Sequence, residues 1–152
     1  SMECCCFVRA RRFVVPSLCV VLLTASGLVA GARQSVPTEE EYGALMTEIR
    51  FTVGDTVQHV DSRYWPELGE DLGKLFPMFE QVEAFWTARG ADDAVGFAGE
   101  ALAALNALDE AGAAMSVPAA RAAITTLRGT CGPCHDAHRE ETADGFRIKP
   151  GS

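Results

Sequence analysis

The residues best equipped for chemistry stand together near the C-terminus, as Cys131-Gly132-Pro133-Cys134-His135. A C-x-x-C-H spacing is the attachment signature of c-type haem. Two thiols add to the porphyrin vinyl groups and the adjacent imidazole reaches the iron as proximal ligand. Three other readings use the same residues. Cys-Gly-Pro-Cys also matches the active-site dithiol of thioredoxin-like proteins, but that motif follows a strand and opens a helix in a βαβ unit, and no strand pattern precedes it here. A structural zinc site needs four ligands around one ion, and Cys131, Cys134, His135 and His138 crowd into two helical turns with only His59 elsewhere. The third alternative is chance spacing, because the motif is specific only where the surrounding chain agrees with it.

The surrounding chain must therefore supply an apolar slot. It is 152 residues long, 48% hydrophobic and rich in alanine, enough for one core built from helices packed on helices. Residues 1–32 read as an export signal: Arg9, Arg11 and Arg12 precede an apolar run from Phe13 to Ala30, and Ala30-Gly31-Ala32 offers a small-x-small cleavage pattern. A retained membrane anchor is the competing reading, since the run approaches the ~20 residues that span a bilayer. Cys4, Cys5, Cys6 and Cys19 fall in this leader, leaving Cys131 and Cys134 as the only cysteines of residues 33–152. Bacterial haem attachment takes place outside the cytoplasmic membrane, so leader and motif point to one compartment, the periplasm.

Four helical segments follow. Thr38 and Glu41 form a capping box ahead of a stripe of Tyr42, Leu45, Met46, Ile49, Val53, Val57 and Val60. A second helix opens at Pro66, carries Leu68, Leu72, Leu75 and Phe76, and is expected to end or kink at Pro77. Phe79, Val82, Phe85 and Trp86 are expected in a short turn or packed loop beyond it. Asp92 caps a third helix that buries Phe97, Ala98, Ala101, Leu102, Leu105 and Leu108 and ends at Gly112. Ser116 and Pro118 open the fourth, on which Ala120, Ile124, Leu127, Cys131, Cys134, His135 and His138 recur every three or four residues. The attachment residues thus continue the apolar stripe.

Four helices with C-x-x-C-H on the last, behind an export signal, resemble the cytochrome c prime family, the class II cytochromes c. The resemblance covers Pro37 to Arg139 and rests on Cys131, Cys134 and His135, with a basic residue, Arg139, four positions on; Leu75-Phe76-Pro77 and Trp86 are less specific matches. It implies an all-α fold, an antiparallel up-down-up-down four-helix bundle holding one covalent haem c. Low-spin members place a first-helix methionine on the open face of the iron and carry electrons; other members leave that face free and bind nitric oxide or carbon monoxide. Met46 stands where such a ligand is expected, and a thioether favours Fe(II). The competing reading of Met46 is a core filler. Met78 and Met115 read as packing or surface residues, and His59 as a solvated histidine. Many members carry an arginine where this chain has Tyr42; Arg50, Arg139 and Arg147 are the remaining candidates for pairing a haem propionate.

The expected function is that of a periplasmic monohaem electron carrier with His135 and Met46 on the iron. Gas binding at a five-coordinate iron is the alternative, and thiol-disulfide exchange the remote one. No activated nucleophile, phosphate loop or carboxylate pair at a recognisable spacing is present, so the chain reads as a non-enzyme. The net charge is −8; the leader's three arginines and one glutamate sum to +2, so residues 33–152 carry −10. Such a charge argues against nucleic acid and anionic membranes. It is compatible with a redox partner that has a basic docking surface. The resemblance also allows a homodimer through the first two helices.

Overall fold

The first helix begins where its capping residues require. Thr38 Oγ1 accepts from the Glu41 amide at 3.2 Å, and the Glu41 carboxylate accepts from the Thr38 amide at 2.7 Å, satisfying two amides that a helix start leaves free. From there α1 spans Glu39–Ser62. The computed structural model describes residues 36–152; the expected leader, residues 1–32 with its four cysteines, lies outside the described residues.

The next helix, α2 (Trp65–Arg89), does not stop at Pro77 but runs through it. An interior proline costs about 3 kcal/mol. Beyond it, however, Met78, Phe79, Val82, Phe85 and Trp86 are all buried, each contributing about 1.5–3 kcal/mol. Burial outweighs the local penalty, and the expected loop is helix. α3 (Asp92–Ala113) also departs from expectation at both ends. Ala91, not Asp92, is its N-cap, with Asp92 and Asp93 in the first turn beside the positive helix end. Gly112 lies inside the helix, where a Cβ would come within 3.0 Å of Leu68 Cδ2; its role is to let that leucine in. The chain reverses at Met115, held at φ 51°. α4 (Val117–His138) starts at Ser116, whose Oγ accepts from the Ala119 amide at 3.4 Å, and continues past Pro133.

The described residues are thus mostly helical, in four long helices. Connections of two or three residues turn each helix back on its predecessor. α3 packs closely on α2 and α4 through small residues: Ala94, Ala98, Ala101, Ala104 and Ala111 face Ala120, Ala123, Ile124 and Leu127 across the core, and all are buried. α1 packs on α2 but meets α4 only sparsely. The α1 stripe accordingly splits: Tyr42, Ile49, Thr52, Thr56 and Val60 are buried, while Met46, Val53 and Val57 stay half-buried on the flank toward α4.

A feature outside the all-α expectation follows α4. β1 (Arg139–Thr142) and β2 (Gly145–Ile148) form an antiparallel hairpin, with Thr142 opposite Gly145. The turn relies on Gly145 at φ 136°, an angle that L side chains avoid. Past β2 the tail returns to α4: the Lys149 amide donates to the His138 carbonyl at 2.8 Å and its Nζ to the Asp136 carbonyl at 2.6 Å. Both carbonyls belong to the last helical turn, where no intrahelical donor remains. No helix among the described residues is long and apolar enough to cross a membrane.

Met115 gives a direct test of the α3–α4 turn. It is 68% exposed and holds a left-handed conformation that costs a side chain about 1 kcal/mol. Met115→Gly is expected to raise stability by about that amount, seen as a higher denaturant midpoint at unchanged slope.

Candidate functional site

The sparse contact between α1 and α4 leaves a seam, and two adjoining cavities of about 430 and 890 Å³ open into it. α1 contributes Met46 and Thr47 to both, and α4 contributes His135 to both. Cys134 lines the smaller cavity and Cys131 the larger. Three residues along a helix turn the side chain by most of a revolution, so the two thiols and His135 share one face of α4. All four site residues expected from the sequence, Met46, Cys131, Cys134 and His135, therefore meet at this seam. The hairpin closes it at one end, where Arg139 and Phe146 line both cavities.

The walls are chemically uneven. In the smaller cavity Tyr42 and Trp86 form a buried aromatic wall, with Phe85 behind them. Tyr42 stacks on Phe85 at 4.0 Å between ring centroids, and Trp86 stands edge-on to both rings. Trp86 Nε1 donates to the Tyr42 hydroxyl at 2.8 Å, joining α2 to α1. His138 packs its ring 4.6 Å from Trp86 and reaches Asp93 Oδ2 of α3 through Nε2 at 3.0 Å. Its Nδ1 is buried with no hydrogen-bond partner. In the larger cavity Ile49, Val53 and Val57 form the floor, and Arg50, Arg128 and Arg139 stand at the rim.

Burial sets the protonation of the motif. It lowers the His135 pKa, and the neighbouring Arg139 guanidinium lowers it further; the neutral ring is the form that binds metals. Burial raises both thiols, Cys134 to about 11, with repulsion from Cys131 and Asp93 adding to the effect. A catalytic dithiol has the opposite shift, because the thiolate is its nucleophile. Among the described residues, no group of three or more His, Cys, Asp or Glu side chains could hold a metal ion between them. The donor set at the seam is instead two thiols, one neutral imidazole and one thioether, on apolar walls. That set fits a covalently held porphyrin whose iron takes soft and nitrogen ligands.

Several participants were not expected from the sequence. His59 is half-buried and paired: its Nδ1 lies 2.8 Å from Oδ2 of Asp71, a buried carboxylate that also accepts from Thr56 Oγ1 at 3.2 Å. This network sits far along α1 from Met46 and takes no part in the seam. Of the candidate propionate partners, Arg147 is paired with Glu140 across the hairpin. Arg50 and Arg139 instead lie over Phe51 and Phe146, at 4.5 and 4.1 Å from the ring centroids. The chain matches no family model, and no curated protein or solved structure is significantly similar to it.

Tyr42 carries a stability prediction. Burial raises its hydroxyl pKa well above the ordinary 10, with the Trp86 hydrogen bond opposing. A folded-state value above the unfolded one means that the neutral hydroxyl stabilises the fold below pH 10, and that this contribution is lost as pH climbs beyond it. Tyr42→Phe leaves the Trp86 N–H buried without an acceptor, at a cost of about 1–3 kcal/mol. Urea unfolding followed by tryptophan fluorescence should show that loss at pH 7, and should show the native chain weakening above about pH 10.

Proposed function

We propose that the chain is a monohaem c-type cytochrome that carries single electrons, an up-down-up-down four-helix bundle similar to the low-spin members of the cytochrome c prime family. One observation carries the reading: His135 and Met46 line both seam cavities, while Cys131 and Cys134 each open into one of them. In this reading Cys131 and Cys134 hold haem c covalently, His135 is the proximal ligand and Met46 the distal one. The bound haem iron supplies the chemistry, gaining or losing one electron. The chain's own residues do the rest. His135 and Met46, on separate helices, would hold the iron, Tyr42 and Trp86 wall the seam at one end, and Val53 and Val57 line it with apolar surface. The setting is the periplasm, reached through the leader at residues 1–32, and no substrate is transformed.

The raised thiol pKa values count against thiol-disulfide exchange. Gas binding would require an open distal face, and the presence of Met46 on both cavity walls favours the carrier instead. Protein expressed with the haem-attachment machinery should be red, and the colour should stay with the polypeptide through denaturing electrophoresis. Cys131→Ala with Cys134→Ala should abolish it. Colourless wild-type protein with two titratable thiols would remove the haem reading altogether. The ferric protein should show the near-infrared methionine-to-iron charge-transfer band and lose it in Met46→Ala; an unchanged spectrum would take Met46 off the iron.

A further inference from the structure

The charge at the larger cavity of the seam is opposite in sign to the charge of the chain, whereas the smaller cavity mixes Glu39 and Glu40 with Arg139 and Arg147. The whole sequence carries −8, yet the lining of the larger cavity contains three arginines, Arg50, Arg128 and Arg139, and no carboxylate. Arg89, Arg121 and Arg147 are each paired with a carboxylate, whereas these three, like Arg63, have no such partner among the described residues. All three are exposed.

A second, independent observation marks the same rim. Phe51 and Phe146, 56% and 63% exposed, are two of the few large apolar side chains left in water. Each lies beneath one of the rim arginines, Phe51 under Arg50 on α1 and Phe146 under Arg139 at the hairpin. Phe51 is one helical turn from both Thr47 and Gly54, which line the cavity. Exposed aromatics topped by arginine are the composition found at the energetic centre of protein interfaces. An unpaired guanidinium over an apolar ring also keeps its charge available to an incoming carboxylate.

We propose that this rim is the electron-exchange surface of the protein, and that it docks a one-electron redox protein whose contact face is acidic around an apolar centre. The proposal rests on the haem reading above and adds the partner's chemistry to it. It replaces the net-charge expectation of a basic partner face with one drawn from where the charges sit. Local potential at a mouth, rather than net charge, governs an encounter once salt screens charges beyond about 8–10 Å. The rest of the surface, being acidic, turns such a partner away from other approaches. Nucleic acid and anionic membrane would meet that same repulsion over any footprint larger than the rim.

The test uses small oxidants that read the local field. The reduced holoprotein gives one electron to ferricyanide, forming ferrocyanide, or to tris(phenanthroline)cobalt(III), forming the cobalt(II) complex. Ionic strength is raised from about 10 mM to about 150 mM, which shortens the screening length from roughly 30 to 8 Å. The ferricyanide rate should fall about tenfold, as for steered association, and the cobalt rate should rise. In Arg50→Glu with Arg128→Glu both trends should reverse, each rate being compared at the variant's own measured reduction potential. A ferricyanide rate that rises with salt in the wild type overturns the proposal. So does a haem-loaded double variant that keeps the wild-type salt dependence, since the arginines would then not set the field at the rim. Haem staining is read first, so that a colourless chain counts against the haem reading and the sign of the salt dependence counts only for or against the docking face.

Discussion

The structure depends on a seam that its own side chains do not close. α1 commits one flank to the core through Tyr42, Ile49 and Val60, with Thr52 and Thr56 turned inward beside them. Its other apolar flank, Met46, Val53 and Val57, faces α4 across open cavities and stays half-wet. On the opposite wall α4 offers Cys131, Cys134 and His135. Apolar surface left uncovered along a whole helix flank is unfavourable in water. A flat apolar group inserted there would supply the missing packing. The same insertion would bring its reactive centre between an imidazole and a thioether.

The parts of this arrangement written in short-range chemistry were legible in the sequence. Thr38 and Glu41 announce the start of α1, Ser116 that of α4, and the three- and four-residue spacing puts Cys131, Cys134 and His135 on one face of a helix. What escaped was decided over longer range. Pro77 carries a local instruction to stop, and it is overruled by Phe85 and Trp86, which pack on Tyr42 of α1 and His138 of α4. Asp71 looks like a surface carboxylate until His59 and Thr56, fifteen or fewer residues away but on another helix, are found facing it. His138 belonged to an apolar periodicity and is indeed buried, but its partners Asp93 and Trp86 could not be read from spacing.

The chain's resemblance to a haem family rests on a five-residue motif and a pattern of helices, while comparison with known proteins returns nothing. A four-helix arrangement constrains which positions are apolar far more than which apolar residue fills each one, so a helical pattern by itself leaves little for a sequence comparison to match. Tyr42 and the hairpin both bear on the seam.

The C-terminal tail has the widest reach for its size. Lys149 ties its amide and its ammonium to carbonyls of the last turn of α4, the turn that begins at His135. A helix end normally frays within its final residues, and fraying here would let the imidazole wander. By stapling that turn, a single lysine outside every motif limits how far the His135 ring can shift with it.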